Sequence, residues 1–337
     1  MGESTKRRLT LAEVAATAGV SEITASRALR GAKNVARPTV ERVERAARSL
    51  GYVRNRLAGA LAGAASNQVG VILPSLSNIV FPDVLKGLED RLETAGFHPV
   101  LGISNYDKMR EERLIDSLLA WRPAGIVIGA TNMTERSRQL LHDADLPVVE
   151  IMDVDCDPVD MVVGISHHQA GRAMGYYLMG RGYKRVGYVG HDIQADQRAT
   201  ARLEGFREAL AEAGQEILHM VTPDTPSSVA LGGSATAKLL AEMNPAPDLI
   251  YFSNDDMAVG GMFHCMAQGI SVPKDVALAG FNGLEIGQAL PTPLTTTGSR
   301  RQLIGQTAAD QILARLSGEP GTRKTDVGFR LLTGASA

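Results

Sequence analysis

From Ser66 onward the chain alternates short apolar runs with longer amphipathic ones. The apolar runs at 69–73, 98–103, 125–129, 148–152, 161–165, 185–190, 248–253 and 276–281 have strand length and are rich in Val, Ile and Leu. Between them, apolar positions recur at helical spacing, for example over 82–95, 109–121, 168–181, 200–213, 230–243 and 255–268. This alternation predicts βαβ units and mostly parallel sheets. About 270 residues is long for one sheet, so the pattern predicts two Rossmann-like subdomains with a cleft at the carboxyl ends of their strands.

The first fifty residues have a different texture. Leu11, Val14, Ala15 and Ala18 recur at helical spacing. Thr10 is placed to cap that helix, with Glu13 as capping-box partner. Gly19 interrupts the pattern. Ser21 can cap a second helix, with Thr24 at its third position. A third helix starts near Pro38, carries Val40, Val43, Ala47 and Leu50 on one stripe, and ends at Gly51. Two short helices joined by a tight Gly-containing turn fit a helix-turn-helix, whose second helix lies in the major groove. Glu22, Ile23, Ser26 and Arg27 can share its exposed side while Ala25, Ala28 and Leu29 face inward. Arg27 suits guanine O6/N7 and Glu22 suits cytosine N4. Residues 52–66 are Ala/Gly-rich, either a flexible linker or a short helix that forms only when held.

Charge sharpens this division. Residues 1–66 hold twelve Lys/Arg against five acids, whereas the whole chain carries −2. A basic head on an acidic body points to a polyanionic partner at one end. Aromatic residues make up only 4% of the chain, which predicts cores of Ala, Val, Leu, Ile and Met. Cys156 and Cys265 have no framework spacing and read as small apolar residues in a reducing compartment. No apolar run approaches the ~18 residues of a membrane span, and no signal-peptide core is present, so a cytoplasmic protein with no membrane partner is expected.

The strings "TLAEVAATAGVSEITASRALRG" and "VERVERAARSLGYVRNRLAGALA" resemble the opening of lactose/galactose-repressor (LacI/GalR) family regulators. The resemblance implies an N-terminal all-α helix-turn-helix domain over 1–53, a hinge helix or linker over 54–66, and an α/β core over 67–337. That core would be periplasmic-binding-protein-like, with subdomains near 67–165 plus 297–325 and 166–296 plus 326–337. It places Thr10, Ser21, Glu22, Ile23, Thr24, Ser26 and Arg27 in a DNA-binding set, joined by Asn55, Arg56 and Leu61 in the hinge. A leucine matching Leu61 wedges into the minor groove in the family, at a cost of a few kcal/mol of unstacking. Two departures stand out. Ala36 occupies a usual Ser/Thr cap, a change that typically costs ~1 kcal/mol. Ala25 replaces a usual valine.

In the body, the resemblance places Ser75, Asn78, Phe81, Asp153, Arg202, Asn254 and Asn282 at an effector site. Asp and Asn pair with hydroxyls, Arg donates in a planar fork, and an aromatic covers an apolar face, which suits a polyol. Asn282 stands where the family often has an acid, which removes a repulsion against an anion. With "VEIMD" and the stretch after "ILPSLSN", this resembles the gluconate-repressor branch. Gluconate or a related aldonate is the expected effector, although a neutral sugar is compatible.

No GxxxxGK[ST], GxGxxG or HExxH motif occurs, so no catalytic residue, cofactor or metal is expected. His167 and His168 read as surface or cap residues, and "DVDCD" lacks the features of a calcium loop. The expected function is a homodimeric, ligand-controlled transcriptional repressor on double-stranded DNA with a pseudo-palindromic operator. Helices 82–95 and 255–268 resemble the family's dimer surfaces, with Val259 and Met262 on the latter. The final "LLTGASA" has no heptad repeat, which favours a dimer over a tetramer. A plain sugar-binding module or a sugar-processing α/β enzyme are the competing classes. Steep salt-dependent DNA binding separates them from the regulator.

Overall fold

The computed structural model describes residues 9–337 except 30, 31, 33, 53–65, 77, 130, 131, 192–195, 243 and 245. Asn55, Arg56 and Leu61 lie outside the described residues. The chain divides into two units, Met1–Ala65 and Ser66–Ala337.

The first unit contains α1 (Leu11–Ala18), α2 (Glu22–Leu29) and α3 (Arg37–Leu50). The capping box at Thr10 forms: its hydroxyl accepts from the Glu13 N–H, and the Glu13 carboxylate accepts from the Thr10 N–H at 2.7 Å. Gly19 closes α1 in the left-handed region at φ 63°, where a side chain would be strained. Ser21 accepts from the Thr24 N–H at 3.2 Å. Ala36 makes no side-chain cap. The buried core is Val14, Ala15, Ala18, Ala25, Ala28, Val43, Ala46 and Ala47. At about 0.8 kcal/mol per buried methylene-sized group, six alanines supply little, so each helix cap of ~1 kcal/mol matters here.

The second unit carries two six-stranded sheets. Its elements are β1 (Gln68–Leu73), α4 (Val80–Thr94), β2 (His98–Ile103), α5 (Lys108–Ala120), β3 (Gly125–Ile128), α6 (Glu135–Asp143), β4 (Val148–Asp153) and β5 (Met161–Ile165). Then come α7 (His167–Gly180), β6 (Val186–Val189), α8 (Gln197–Glu212), β7 (Ile217–Val221), α9 (Val229–Glu242), β8 (Leu249–Phe252), α10 (Asp255–Gln268) and β9 (Ala277–Asn282). The last are α11 (Glu285–Gln288), β10 (Thr295–Gly298), α12 (Arg301–Leu316), β11 (Lys324–Asp326) and β12 (Arg330–Leu332). The first sheet runs β11-β5-β4-β3-β1-β2 and the second β12-β10-β9-β8-β6-β7. All pairings are parallel except β10 with β12. The chain passes between the halves three times: from β5 to α7, from β10 to α12, and from β11 to β12.

The central parallel strands are buried on both faces, which explains their unbroken apolar runs, whereas the edge strands β2, β7 and β11 are partly exposed. Aromatic residues, though scarce, concentrate inside: Phe81, Phe206, Phe252, Phe281, Tyr188 and Tyr251 are among the largest fully buried side chains. The expectation of purely aliphatic cores is corrected accordingly. So is the placement of Val259 and Met262 on a dimer surface. Both are buried in the core beside β8 and β9, and the exposed apolar residues of α10 are Phe263 and Met266. Among the described residues, no helix is long and apolar enough to cross a membrane.

Candidate functional site

In the first unit, α2 presents Glu22, Ile23 and Arg27 to solvent, with Ile23 65% exposed, while Thr24 and Ser26 are half-buried and Ala25 and Ala28 face the core. Ile23 thus offers an apolar contact beside the charged groups of Glu22 and Arg27. The hydroxyls of Thr10 and Ser21 serve as caps.

In the second unit, polar residues gather where the two sheets present their strand ends. Helix α8 supplies the centre. Asp196 caps it, accepting from the N–H groups of Arg198 and Ala199 at 3.1 Å each. Arg198 and Arg202 then lie one turn apart, both buried. Close packing fixes the helix: a Cβ on Gly171 of α7 would strike the Arg202 carbonyl, and one on Gly205 the His168 carbonyl.

Arg202 is held within its own half. Its Nη1 donates to His167 Nδ1 at 2.9 Å, its Nη2 donates to the Ser253 carbonyl at 3.1 Å, and its plane lies 4.0 Å from the Phe281 ring centroid. Its buried Nε has no protein partner among the described residues. Because Nδ1 accepts, His167 carries its proton on Nε2 and donates it across to the Met152 carbonyl at 3.1 Å. Burial and the two arginines hold this imidazole neutral, well below its ordinary range. His167 therefore occupies the site's floor, not the surface or cap position expected for it; Ser166 is the cap of α7, and His168 pairs with Glu208 at 3.0 Å.

Arg198 reaches the other half: its Nη2 donates to the Gly129 carbonyl, at the end of β3, at 2.8 Å. Burial pulls this guanidinium below its ordinary range, opposed by Asp196, Asp153 and Tyr106. Burial pushes the Asp196 carboxyl up, but Arg202, Arg198 and His191 outweigh it and leave it below the usual carboxylate range. His191 bonds the Ser253 hydroxyl at 3.1 Å and sits 3.6 Å from Asp196. Asp153 ends β4; burial raises its carboxyl, which accepts from the Asp155 N–H at 2.9 Å.

Asn254 and Asn282 meet directly, Asn282 Nδ2 donating to Asn254 Oδ1 at 3.1 Å. Below them Asp255 is fully buried; it accepts from the Thr296 hydroxyl at 2.6 Å and the Leu284 N–H at 2.7 Å, and burial raises it to about 6. Two strand ends hold non-glycine residues at positive φ, Met152 at 88° and Asn282 at 119°. Such strain persists where the surroundings over-determine it. Here the Met152 carbonyl is taken by His167 and the Asn282 carbonyl by Arg301.

On the first sheet's side, the Ser75 hydroxyl accepts from the Asn78 N–H at 3.2 Å, and Asn78 Nδ2 donates to the Tyr106 hydroxyl at 3.4 Å. Tyr106 is half-exposed, with Asp196 and Arg198 in electrostatic reach. Phe81 is not presented to the cleft as an open ring; it is packed into the core of the first half. Glu111, buried on α5, is raised by burial to about 7, with Arg198 drawing it down.

The structure thus joins Asn254 to Asn282, Arg202 to the electrostatic surroundings of Asp153, and Ser75 to Asn78. Arg198, Asp196, His167, His191, Ser253 and Tyr106 were missed in the sequence. Helix 200–213 was expected to start two residues after Arg198, which hid the Arg198/Arg202 pair at i, i+4 on one face. Asp196 as a capping residue was the available signal. Among the described residues, no group of three His, Cys, Asp or Glu could hold a metal ion.

Comparison with known proteins converges on this architecture. Residues 10–55 match the model for bacterial regulatory proteins of the lacI family, and residues 66–333 match that for periplasmic binding proteins and the sugar-binding domain of the LacI family. The HTH-type transcriptional regulator GntR of Pseudomonas aeruginosa is 41% identical over 97% of this chain and 95% of its own. GntR of Escherichia coli K12 is 34% identical over 98% and 99%. The solved structure of a LacI-family transcriptional regulator from Silicibacter pomeroyi superposes with a TM-score of 0.92 at 42% identity, covering 97% of this chain and 99% of that one. With both of its units matched in this way, the chain belongs to the LacI family of DNA-binding transcriptional regulators.

Proposed function

We propose that this regulator is a cytoplasmic homodimeric repressor whose grip on a pseudo-palindromic operator is set by a sugar acid, gluconate or a related aldonate, held between the two halves of the body. The observation that carries the effector reading is the pair of buried guanidiniums of α8, set among Asp153, Asn78, Tyr106 and the Asn254–Asn282 pair. Hydroxyl-pairing groups around buried positive charge suit a polyhydroxylated anion. The GntR name carried by both relatives supports the same branch.

In the head, Glu22, Ile23 and Arg27 read base edges, Thr24 and Ser26 approach phosphates, and Thr10 and Ser21 fix the helix starts that aim them. Ile23 gains cover in the major groove, against a thymine methyl. Asn55, Arg56 and Leu61 belong to the hinge that pairs on DNA. Phe263 and Met266 of α10 are suited to a subunit contact. Ligand closes the two halves and changes dimer geometry; it can move that equilibrium only by its differential affinity for the two states.

A thermal-shift panel of sugars and sugar acids, followed by operator binding with each hit, tests this. The expected result is stabilisation by aldonates and release of an operator obtained by random-oligonucleotide selection. Stabilisation by neutral sugars alone would overturn the effector class, and absence of any sequence preference would overturn the regulator's operator function.

A further inference from the structure

A cavity of about 520 Å³ opens at the amino end of α12, where the chain passes from the second half back to the first. The helix has no side-chain cap there. Its preceding residue, Arg300, is held in the left-handed region at φ 35° and ψ 42°. Among the described residues, nothing accepts from the N–H groups of Arg301, Gln302 and Leu303; the helix starts with the bond from the Ile304 N–H to the Arg300 carbonyl at 3.1 Å. An uncapped helix start carries unsatisfied donors and a positive partial charge, which together suit an anion. Close packing fixes this end: a Cβ on Gly87 of α4 would strike the Gln302 carbonyl, and one on Gly305 the Val84 carbonyl.

Charge and a buried hydroxyl point the same way. Arg300, Arg301 and Arg330 line the cavity, and Asp83 is the one acid among its described lining residues. The Asp83 carboxylate is already paired with Arg301 Nε at 2.8 Å. Arg301 Nη1 donates to the Asn282 carbonyl, and its Nη2 has no partner among the described residues. Arg330, exposed on β12, has no side-chain partner among them. Ser299 also lines the cavity; it is 1% exposed, and its hydroxyl has no hydrogen-bond partner among the described residues. A buried hydroxyl in that position is a standing cost that a bound acceptor removes.

We propose that the amino end of α12 is a binding site for a phosphate-sized oxyanion, held by the N–H groups of Gln302 and Leu303, the Ser299 hydroxyl and the guanidiniums of Arg301 and Arg330. Such an ion has acceptor oxygens enough for backbone, hydroxyl and guanidinium donors at once, and bonds of this charged kind are roughly twice as strong as neutral ones. The site adjoins the sugar cleft through Asn282, whose amide serves Asn254 while its carbonyl accepts from Arg301. It does not depend on which sugar the cleft takes. Its donors come from α12 in the first half and from the end of β10 and β12 in the second, so the anion's affinity is tied to how the halves stand.

The test titrates the full-length protein with inorganic phosphate by calorimetry at pH 7.5 and constant ionic strength. Wild type should show saturable binding with a Kd below about 1 mM. Arg330→Gln should weaken it roughly 10- to 100-fold, the range set by a hydrogen bond to a charged group. Ser299→Ala should weaken it roughly 3- to 10-fold while the melting temperature without phosphate stays at or above that of wild type, because the hydroxyl has no partner to lose. A purely structural serine would lower the melting temperature and leave phosphate affinity alone. Methyl phosphate run beside it distinguishes a phosphate ester from the free ion, and either supports the site when the variants respond. No saturable binding by wild type overturns the proposal. So does wild-type affinity in either variant, the result expected if phosphate sits in the head or the sugar cleft. Neither Ser299 nor Arg330 belongs to the set assigned to the sugar, so these failures leave the effector reading untouched.

Discussion

His167→Leu isolates the floor of the cleft. Leucine fills most of the imidazole's volume but leaves the Met152 carbonyl and one Arg202 N–H without their partners, both buried. An unsatisfied buried group costs about 1–3 kcal/mol, more when charged, so the variant should lose about 4 kcal/mol at pH 7.5. At about 2–4 °C per kcal/mol for a unit of this size, the melting temperature should fall by about 10 °C. The pH dependence gives a second reading. Burial, with Arg202 and Arg198, keeps the folded imidazole neutral, whereas the unfolded chain takes up a proton below about 6.5. The unfolded state then binds more protons, so wild-type stability drops as pH falls through that range. At 1.36 kcal/mol per unit below the unfolded value, the loss by pH 5 is at most about 2 kcal/mol. Leucine has no such loss. The gap between the two proteins should therefore shrink from about 4 kcal/mol, by up to about 2 kcal/mol, between pH 7.5 and pH 5. Glu111 and Asp255, raised to about 7 and about 6, titrate in the opposite sense in both proteins and cancel in the difference. Urea midpoints at both pH values measure it. A gap below 1 kcal/mol, or one that widens in acid, refutes the buried neutral bridge.

Asp255→Asn should remove a contribution that drains away as pH rises from about 4 to about 6, because burial keeps the folded carboxyl protonated longer than the unfolded one; relative to wild type it should gain up to about 3 kcal/mol between pH 4 and pH 7 by denaturant midpoint. Gly205→Ala pushes a methyl into the His168 carbonyl and should cost about 1–3 kcal/mol by overpacking, with a matching loss of effector affinity because α8 shifts. Arg27→Ala should cut operator affinity by about 1–3 kcal/mol in anisotropy titrations, and unchanged binding removes it from the base-reading set. Leu61→Ala should reduce DNA bending in gel mobility while ligand titration stays as in wild type.

Where burial was continuous, the chain announced its elements. The eight apolar runs from 69–73 to 276–281 became strands with shifts of a residue or so at their ends; for all but the edge strand β2 the reason is that a strand covered on both faces must be apolar throughout. The head was equally readable, since caps at Thr10 and Ser21 and stops at Gly19 and Gly51 are local chemistry. What stayed hidden was decided at a distance. β10 reads Thr-Thr-Thr-Gly and looks polar, yet it lies inside the sheet, where Asp255 takes the Thr296 hydroxyl and the carbonyls of Gly334 and Ala337 take that of Thr295. β11 and β12 are three residues each and depend on their neighbours for existence. The site followed the same division. Asn254, Asn282, Asp153 and Arg202 stand at strand ends or on a recognised helix. Arg198 and His167 could be valued only once β3 and β4 had been folded against them.

The three passages between the halves have a temporal meaning. The first half cannot be completed when its fifth strand leaves the ribosome. Its supporting helix α12 and edge strand β11 are encoded beyond nearly the whole of the second half, about 160 residues later, and at 5–20 residues per second that is a wait of roughly 8–30 s. The reading head, at the amino end, is synthesised before any of this and is free to fold first. During biosynthesis, a nascent molecule therefore carries its DNA-binding unit for many seconds before the second unit can be completed.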